Sequence, residues 1–515
     1  MESFLSRFGS LVTAVLSGFD RLVFRGTLIP LVRPYGMFTF LTRAEVRLLD
    51  FKKYVLNTSN KLKAASLREA VEAGRPIRYL TSSRIDKEDL SHQLLEEHPI
   101  DDGLVCAFTI VEPCMSFEYH RSQDKAERGL KLVPRKCLHI YKYYKHPRFG
   151  FMGARIQTWF PFNVQIWMNG RVWLGHQLTK MGRTDFHRED NYFTRLDDPE
   201  FAQRVMNRQL EVDWQRALDS IARMLNPLHR QIFGPWPQSY YWSTYQSEWA
   251  TDLLFESRKS LAAIYPELVR HATLHFQSAD VMRFLGRKCN GHFLGELTTS
   301  FKNRPEGVRV KHWVNGNSMK MYDPYNLLRV EATIAKPGDF KVFRPLSNDP
   351  DGKLAWRPMR KGIADLHRRT QVSQQANERY LEALAVVEDS TRLHVILDQM
   401  SKPTTYRGRR LRALRIGDGN DVALLKAVSR GEFAISGFRN RDLRVHLHPG
   451  KLTRDQERRA SANVGRRLRL LRAHGLIKKV PKSNCYRLTD KGMLLTAALF
   501  AVRDATLKQL LGTAA

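Results

Sequence analysis

Apolar residues at Phe4, Leu5, Phe8, Leu11, Val12, Val15, Leu16 and Phe19 recur at helical spacing and predict an amphipathic amino-terminal helix. Asp20, Arg21 and Arg25 then interrupt a second apolar stretch, which Pro30 and Pro34 close. Between residues 41 and 100 helical patterns alternate with turns, Thr42 and Ser66 opening helices and Gly74 ending one. Residues 104–111 are almost continuously apolar, the pattern of a buried strand. Strand propensity returns at 137–144, 151–160 and 164–168. Asn169-Gly170 is either a hairpin turn or the start of a helix through Trp173, Leu174, Leu178 and Met181 to Gly182. Residues 200–226, 245–256 and 279–287 read as helices.

Period-2 patterning is clearest at 308–314, 318–322 and 327–334, with Asn315-Gly316 and Asp323-Pro324-Tyr325-Asn326 as turns. Those turn lengths pair Lys311 with Lys320, Arg309 with Tyr322, Lys320 with Arg329 and Ser318 with Glu331. One face of this meander is apolar and includes His312, read as a satisfied core histidine. The other carries Arg309, Lys311, Trp313, Lys320, Tyr322, Arg329 and Glu331. A helical connector (356–387) and a Gly/Arg-rich linker (403–415) follow, and no internal repeat is visible.

The last hundred residues form their own pattern. Helices are expected at 421–429, from Ser436 to 447, and from the N-cap Thr453 to Gly475. Short strands at 476–480 and 485–488 flank the turn Pro481-Lys482-Ser483-Asn484, and Thr489 opens a last helix. This order, with Tyr486-Arg487-Leu488-Thr489-Asp490-Lys491-Gly492 leaving the second strand, resembles the winged-helix DNA-binding family. The resemblance covers about 416–512 and implies a recognition helix carrying Arg458, Arg459, Arg466, Arg467 and Arg469, with Lys478, Lys479 and Lys482 on the wing.

Charge sharpens this picture. The 515 residues hold 84 Lys+Arg against 52 Asp+Glu, a net charge of +32, while 43% hydrophobic content excludes a disordered polyelectrolyte. Residues 407–487 hold 22 basic and 6 acidic residues, so half of the net charge lies there. Residues 131–184 contain no acid, ten Lys+Arg and ten aromatic rings, a composition suited to phosphate contact and base stacking through Lys142, Lys145, Arg148 and Arg155. Two or three of those rings are expected to be exposed. Arg357, Arg360, Lys361, Arg368 and Arg369 form another basic cluster. Five cysteines without CxxC spacing predict neither a zinc finger nor a disulfide framework. With no membrane-length apolar run and no secretory pattern, a soluble cytoplasmic protein is expected, bound to DNA or to a structured or guide RNA and not to membrane. An oligomer is compatible with the sequence.

Several side chains carry candidate chemistry. Tyr322 among cations is a candidate nucleophile, with Glu331 holding Mg²⁺ or Mn²⁺ against the scissile phosphate. Glu331 paired to Arg309 or Arg329 explains the same pattern without chemistry. Met321-Tyr322-Asp323 with Leu328-Arg329-Val330-Glu331 resembles the Tyr-Asp-Lys and Arg-x-Glu segment of rolling-circle replication initiators, although Pro324 replaces the Lys. The His-x-His pair of that pattern is absent upstream; His446-Leu447-His448 falls in the carboxy-terminal module. Glu118 and His120, with Glu112 nearby, are a second candidate metal site, or salt-bridge partners of Arg121 and Lys125. Glu248 and Asp252, one helical turn apart in the expected helix, are a third, or a pair balanced by Arg or Lys.

The reading is a multidomain α+β protein of antiparallel β units, helical segments and a carboxy-terminal winged helix. Its regions are 1–100 mixed, 101–185 aromatic-rich β, 186–300 helical, 301–347 meander, 348–402 connector and 403–515 winged helix. The chain resembles large bacterial proteins of mobile-element type. DNA binding leads as the function. The alternatives are a metal-dependent nuclease, replication initiator or transposase using Tyr322 and the acids, and a non-catalytic RNA-binding subunit of a ribonucleoprotein.

Overall fold

Consecutive buried residues at 18–20 and 22–24 mark a strand covered on both faces, and they belong to the central strand β1 (Val12–Thr27). Two-sided burial removes the alternation that identifies most strands, so residues 20–27 carry no clear period, while the apolar positions of 12–19 also fit helical spacing. Only α1 (Glu2–Phe8) of the expected amino-terminal helix is helical. The computed structural model describes residues 1–515 apart from 123–128, 275, 277, 287–296, 305–306, 347–348, 350, 386–396, 399, 407, 416–418, 431–432, 434–436, 451–452, 481–482 and 505–515.

Helices α2 (Pro34–Arg43) and α3 (Phe51–Glu72), strand β2 (Ile77–Leu80) and helix α4 (Lys87–Glu97) follow β1. A meander of β3 (Gly103–His120), β4 (Gly129–His146), β5 (Gly150–Gln157) and β6 (Val164–Asn169) returns to pair antiparallel with β1. Next come α5 (Gly170–Lys180), the hairpin β7 (Phe186–Glu189) and β8 (Tyr192–Leu196), and helices α6 (Pro199–Asn207), α7 (Trp214–Leu225) and α8 (His229–Ile232). Asn169 is the N-cap of α5, accepting from the N–H groups of Arg171 and Val172, and this settles the ambiguity of Asn169-Gly170 in favour of a helix start.

The topology then repeats. Strand β9 (Tyr241–Phe255) leads through α9 (Arg258–Leu274) and α10 (Ser278–Phe284) to a second meander, β10 (Leu297–Arg304), β11 (Gly307–Val314), β12 (Asn317–Tyr322) and β13 (Leu327–Ile334). Its last strand pairs antiparallel with β9, just as β6 pairs with β1. Because β1 and β9 are themselves antiparallel neighbours, the halves join in one eleven-stranded sheet of order β10-β11-β12-β13-β9-β1-β6-β5-β4-β3-β2. The repeat lies in strand order, not in residue identity, so it was invisible in the sequence.

The first half packs its core from α2, α3 and α5–α7 with β1 and β4–β6. In the second, α9, α10 and α11 (Leu366–Leu384) pack with β9 and β11–β13. The hairpin β14 (Lys341–Arg344) and β15 (Ala355–Pro358) precedes α11. The basic cluster expected in this connector is largely consumed internally. Arg369 is buried and donates to the Ile334 and Thr244 carbonyls, while Arg360 and Arg368 bind Asp365.

Both meander pairings across the first turn are as expected, and Asn315 and Gly316 hold the positive φ of a tight two-residue turn. The second turn is longer than expected. Lys320 pairs with Glu331, Tyr322 with Arg329 and Ser318 with Thr333, a two-residue slip that preserves which face each side chain occupies. His312 is buried between Thr299 and Tyr380, hydrogen-bonding both.

His312 and buried His139 give a testable pH effect. Burial pushes His312 down to about 4, and burial followed by Arg155 does the same to His139. The unfolded chain therefore takes up these protons first, so stability is complete above pH 6.5 and falls as pH drops toward 4. Between pH 7.5 and 5 the loss should be roughly 2 kcal/mol per histidine. Urea midpoints check this, and an equal loss in His312→Asn would remove that residue from the account.

The acid-free aromatic segment is core, contrary to its reading as a stacking surface. None of its ten rings falls in the exposed class, and only Phe151 and Trp159 are partly open. Cys114 and Cys137, expected to be free thiols, form a disulfide between β3 and β4. Among the described residues, no helix is long and apolar enough to cross a membrane.

A carboxy-terminal unit has its own core, including Leu424, Val428, Phe438, Leu443, Val464, Leu468, Leu471 and Leu476. The expected linker contains a hairpin, β16 (Thr404–Tyr406) and β17 (Arg409–Leu411). Helices α12 (Gly419–Val428), α13 (Asn440–Leu447) and α14 (Arg454–Ala473) are followed by paired strands β18 (Ile477–Lys479) and β19 (Tyr486–Leu488) and helix α15 (Asp490–Asp504). Thr453 caps α14 reciprocally with Gln456. Ser436, Lys482 and Cys289 lie outside the described residues. The architecture is α+β, with one large mixed sheet and several small antiparallel ones.

Candidate metal centre

Where the two halves meet, β1 carries one residue more than β9. Phe19 pairs with Trp249 and Arg21 with Glu248, leaving Asp20 as a bulge. Bulges re-aim side chains, and this one brings Asp20 beside Glu248 of β9 and Glu331 of β13. One carboxylate oxygen from each lies within 4.8 Å of the other two.

Each acid is held by neighbours on the same sheet or above it. Asp20 Oδ1 accepts from Asn191 Nδ2 at 2.8 Å, Arg329 Nη1 at 3.2 Å and Asn169 Nδ2 at 3.4 Å. Among the described residues all its donors meet Oδ1, so Oδ2 is the oxygen left to face a ligand. Glu331 accepts Lys320 Nζ on Oε1 at 2.5 Å and the Tyr322 hydroxyl on Oε2 at 3.0 Å. Glu248 accepts Gln246 Nε2 at 2.7 Å and lies 3.5 Å from Lys320. Burial and then the Glu248 charge raise the Glu331 carboxyl above its ordinary value, despite Lys320. Lys320 is itself raised: burial opposes its charge, but Glu331 and Glu248 outweigh that.

Below this triad lies a fully buried ion cluster. Asp252 accepts Arg329 Nε at 2.6 Å and Arg171 Nη2 at 2.9 Å. Burial alone would raise Asp252, but the two guanidiniums hold it below the carboxylate range. Arg171 comes from α5, whose start presses so close to β1 that a Cβ on Gly170 would sit 2.0 Å from the Phe19 carbonyl oxygen. Counting triad and cluster together, four carboxylates face three cations and leave a net charge of −1. A divalent ion would make this +1, the complement of one phosphodiester.

Asp20 and Glu248 of the triad line a cleft of about 830 Å³, a size typical of ligand sites, with Glu331 buried behind them. It is lined by residues of β1, β9, α4, β5, β6, α5 and the β7–β8 hairpin, among them Asp20, Arg21, His92, Trp167, Asn191 and Glu248. The hairpin also covers the meander face, with Tyr192 against the Arg329 guanidinium.

The structure therefore reorders the expected site residues. Glu248 and Glu331 come together, but Asp252 does not join them as a ligand. Segment 245–256 is strand β9, not helix, and four residues along a strand span roughly 13 Å. Tyr322 is buried, donates to Glu331 and has its pKa raised well above the ordinary value, chiefly by burial, which is the opposite of an activated phenolate. Arg329 and Lys142 are buried in internal pairs, Lys142 with Glu69, and do not reach an outside ligand. Arg155 binds Glu112, and Lys145 donates to the Ile100 carbonyl. Arg148 is exposed. Glu118 and His120 are exposed on β3, while Glu112 is tied to Tyr141, Arg155 and Lys87; six residues along the strand keep Glu112 roughly 20 Å from Glu118, so these do not form one site.

Asp20 and the anchoring residues Asn191 and Arg171 were not singled out as site residues. Only Asp20 carried a signal, as a lone carboxylate inside an apolar run. No protein-family model, curated protein or solved structure matches the chain.

Proposed function

We propose that the protein is a divalent-metal-dependent enzyme acting on phosphodiester bonds of DNA, with Asp20, Glu248 and Glu331 as ligands of Mg²⁺ or Mn²⁺. The convergence of these three carboxylates at the mouth of a cleft carries the reading. Asp20, Glu248 and Glu331 would hold the ion, which would supply Lewis-acid polarisation of the scissile phosphate and activation of water. The residues present fit such an ion: hard oxygen donors, one of them with a free lobe, and a compensating charge of −1 awaiting a cation. Lys320 pairs with both Glu248 and Glu331, and with a divalent ion held by these acids its ammonium would be the cation left to meet a phosphate oxygen. Incubating supercoiled plasmid with the full chain, with and without Mg²⁺ or Mn²⁺, tests the reading. Metal-dependent nicking is expected, and intact plasmid at every metal concentration would overturn it.

The carboxy-terminal unit is read as a winged-helix module that delivers DNA, acting in the cytoplasm. Arg458, Arg459, Arg466 and Arg469 are exposed along α14, Arg467 is half-buried, and Lys478 and Lys479 are exposed on β18. If these arginines neutralise phosphates, each Arg→Ala change should lower the slope of log affinity against log salt by about 1. Titrations at several salt concentrations measure this, and unchanged slopes in Arg466→Ala and Arg469→Ala would remove α14 from the interface.

A further inference from the structure

The surfaces on either side of the triad differ in charge. On β10–β12, the face shared with Lys320 carries Lys302, Arg309, Lys311 and the half-exposed Trp313, with no acid. Lys311 Nζ lies 4.8 Å from the Trp313 ring centroid. The cleft on the other side is mixed. Its cations are already engaged, Arg21 with Glu88, Lys145 with a carbonyl and Arg188 with the Asp190 carbonyl, and Glu88, Asp101 and Asp190 add negative charge. Such a cleft repels a run of phosphates. What it offers is aromatic: Trp167 lying against Gly153, and the exposed His92 ring at the end of a stack with Phe151 (centroids 4.0 Å apart) and Tyr143.

We propose that the substrate is an unpaired DNA strand crossing the triad, its phosphates on the β10–β12 face and the nucleobase beyond the scissile bond inserted in the cleft. This rests on the proposed phosphodiester chemistry for the position of the scissile phosphate. An uncharged base with a π face suits a cleft walled by Trp167 and the exposed His92 ring, and Trp313 supplies a second stacking platform on the charged side. A stacked duplex cannot insert one base into such a cleft without flipping it out.

The test reads binding without turnover. Fluorescence anisotropy of a short labelled single strand and of its blunt duplex is measured with the full chain in metal-free buffer. Val172→Trp narrows the cleft from α5, and His92→Ala removes its exposed wall. Expected is an affinity loss of about tenfold for the single strand in Val172→Trp and about threefold in His92→Ala, with duplex affinity unchanged, since each stacked base is worth roughly 1–3 kcal/mol. Unchanged single-strand affinity in both variants overturns the proposal, as does an equal loss for the duplex or tighter binding to the RNA strand of the same sequence. Plasmid that stays intact with metal would sink the enzyme reading while leaving this binding result standing.

Discussion

Glu331→Gln should abolish metal-dependent nicking, by at least about a hundredfold, while leaving the fold intact. The substitution keeps the shape and one acceptor oxygen for Lys320, and its amide N–H can donate to the Tyr322 hydroxyl, but it removes the charge that a divalent ion needs. It also removes the repulsion between Glu331 and Glu248 that raises the Glu331 carboxyl, so metal-free stability should change little. The distinguishing measurement is the thermal midpoint with and without Mn²⁺. The wild-type chain gains stability with free metal because only the folded state assembles the three ligands, and the variant should lose that gain. Lys320→Met gives the complementary result. Removing the ammonium that competes for Glu248 and Glu331 should tighten Mn²⁺ binding yet slow nicking, since the phosphate loses its cation. Tighter metal binding with undiminished nicking would leave Lys320 as a counter-ion only. Nicking by Glu331→Gln at the wild-type rate would remove Glu331 from the metal site.

How much of this was legible depended on whether a residue's role is set by neighbours in sequence or in space. The β10–β13 meander was readable because its faces alternate and its turns carry Asn-Gly and Asp-Pro signals; the slip at Tyr322 arose because Asp323–Asn326 closes a longer loop than its four residues suggest. The helix–helix–helix–strand–strand–helix order of the last hundred residues was readable from caps at Thr453 and Gly475. The first half of β1 and most of β9 read as helix, and the second half of β1 as no regular element, because central strands buried on both faces lose their period of two. That error hid the site, since Asp20 and Glu248 sit on these two strands and meet only when β1 and β9 pair. The cations of the carboxy-terminal helix Arg454–Ala473 stay on the surface, whereas in the sheet Lys142, Arg171, Arg329 and Arg369 are buried. An unpaired arginine is too costly to bury, so each of these has found an acid or carbonyl that the sequence places far away.

Arg329→Met should both destabilise the fold and disable the site, and this combination separates it from Glu331→Gln. Arg329 is fully buried, bridges Asp252 and Asp20, and donates to the Asn191 carbonyl. Removing one partner of a buried pair strands the other charges, at a cost of about 3–5 kcal/mol. Asp252 keeps Arg171, so the loss should fall toward the lower end, whereas Asp252→Leu frees both guanidiniums and should cost more. The pH dependence follows from the sign of the Asp252 shift. Its folded pKa is depressed, so the stabilisation is present above the ordinary carboxylate pKa and is lost as pH falls below it. Urea unfolding at neutral pH and at pH 3, below the ordinary aspartate pKa of 3.8, measures both effects, and the wild-type minus Arg329→Met difference should shrink at the lower pH. Asp20 loses its clamp in the same variant, because only Asn191 and Asn169 remain to orient Oδ1. Nicking should therefore fall along with stability, and the Mn²⁺ dependence should shift to higher concentration without vanishing, as expected of a positioning residue. Arg329→Met with wild-type stability would show that the buried charges reorganise around Arg171, and Asp20 would then need no clamp from β13.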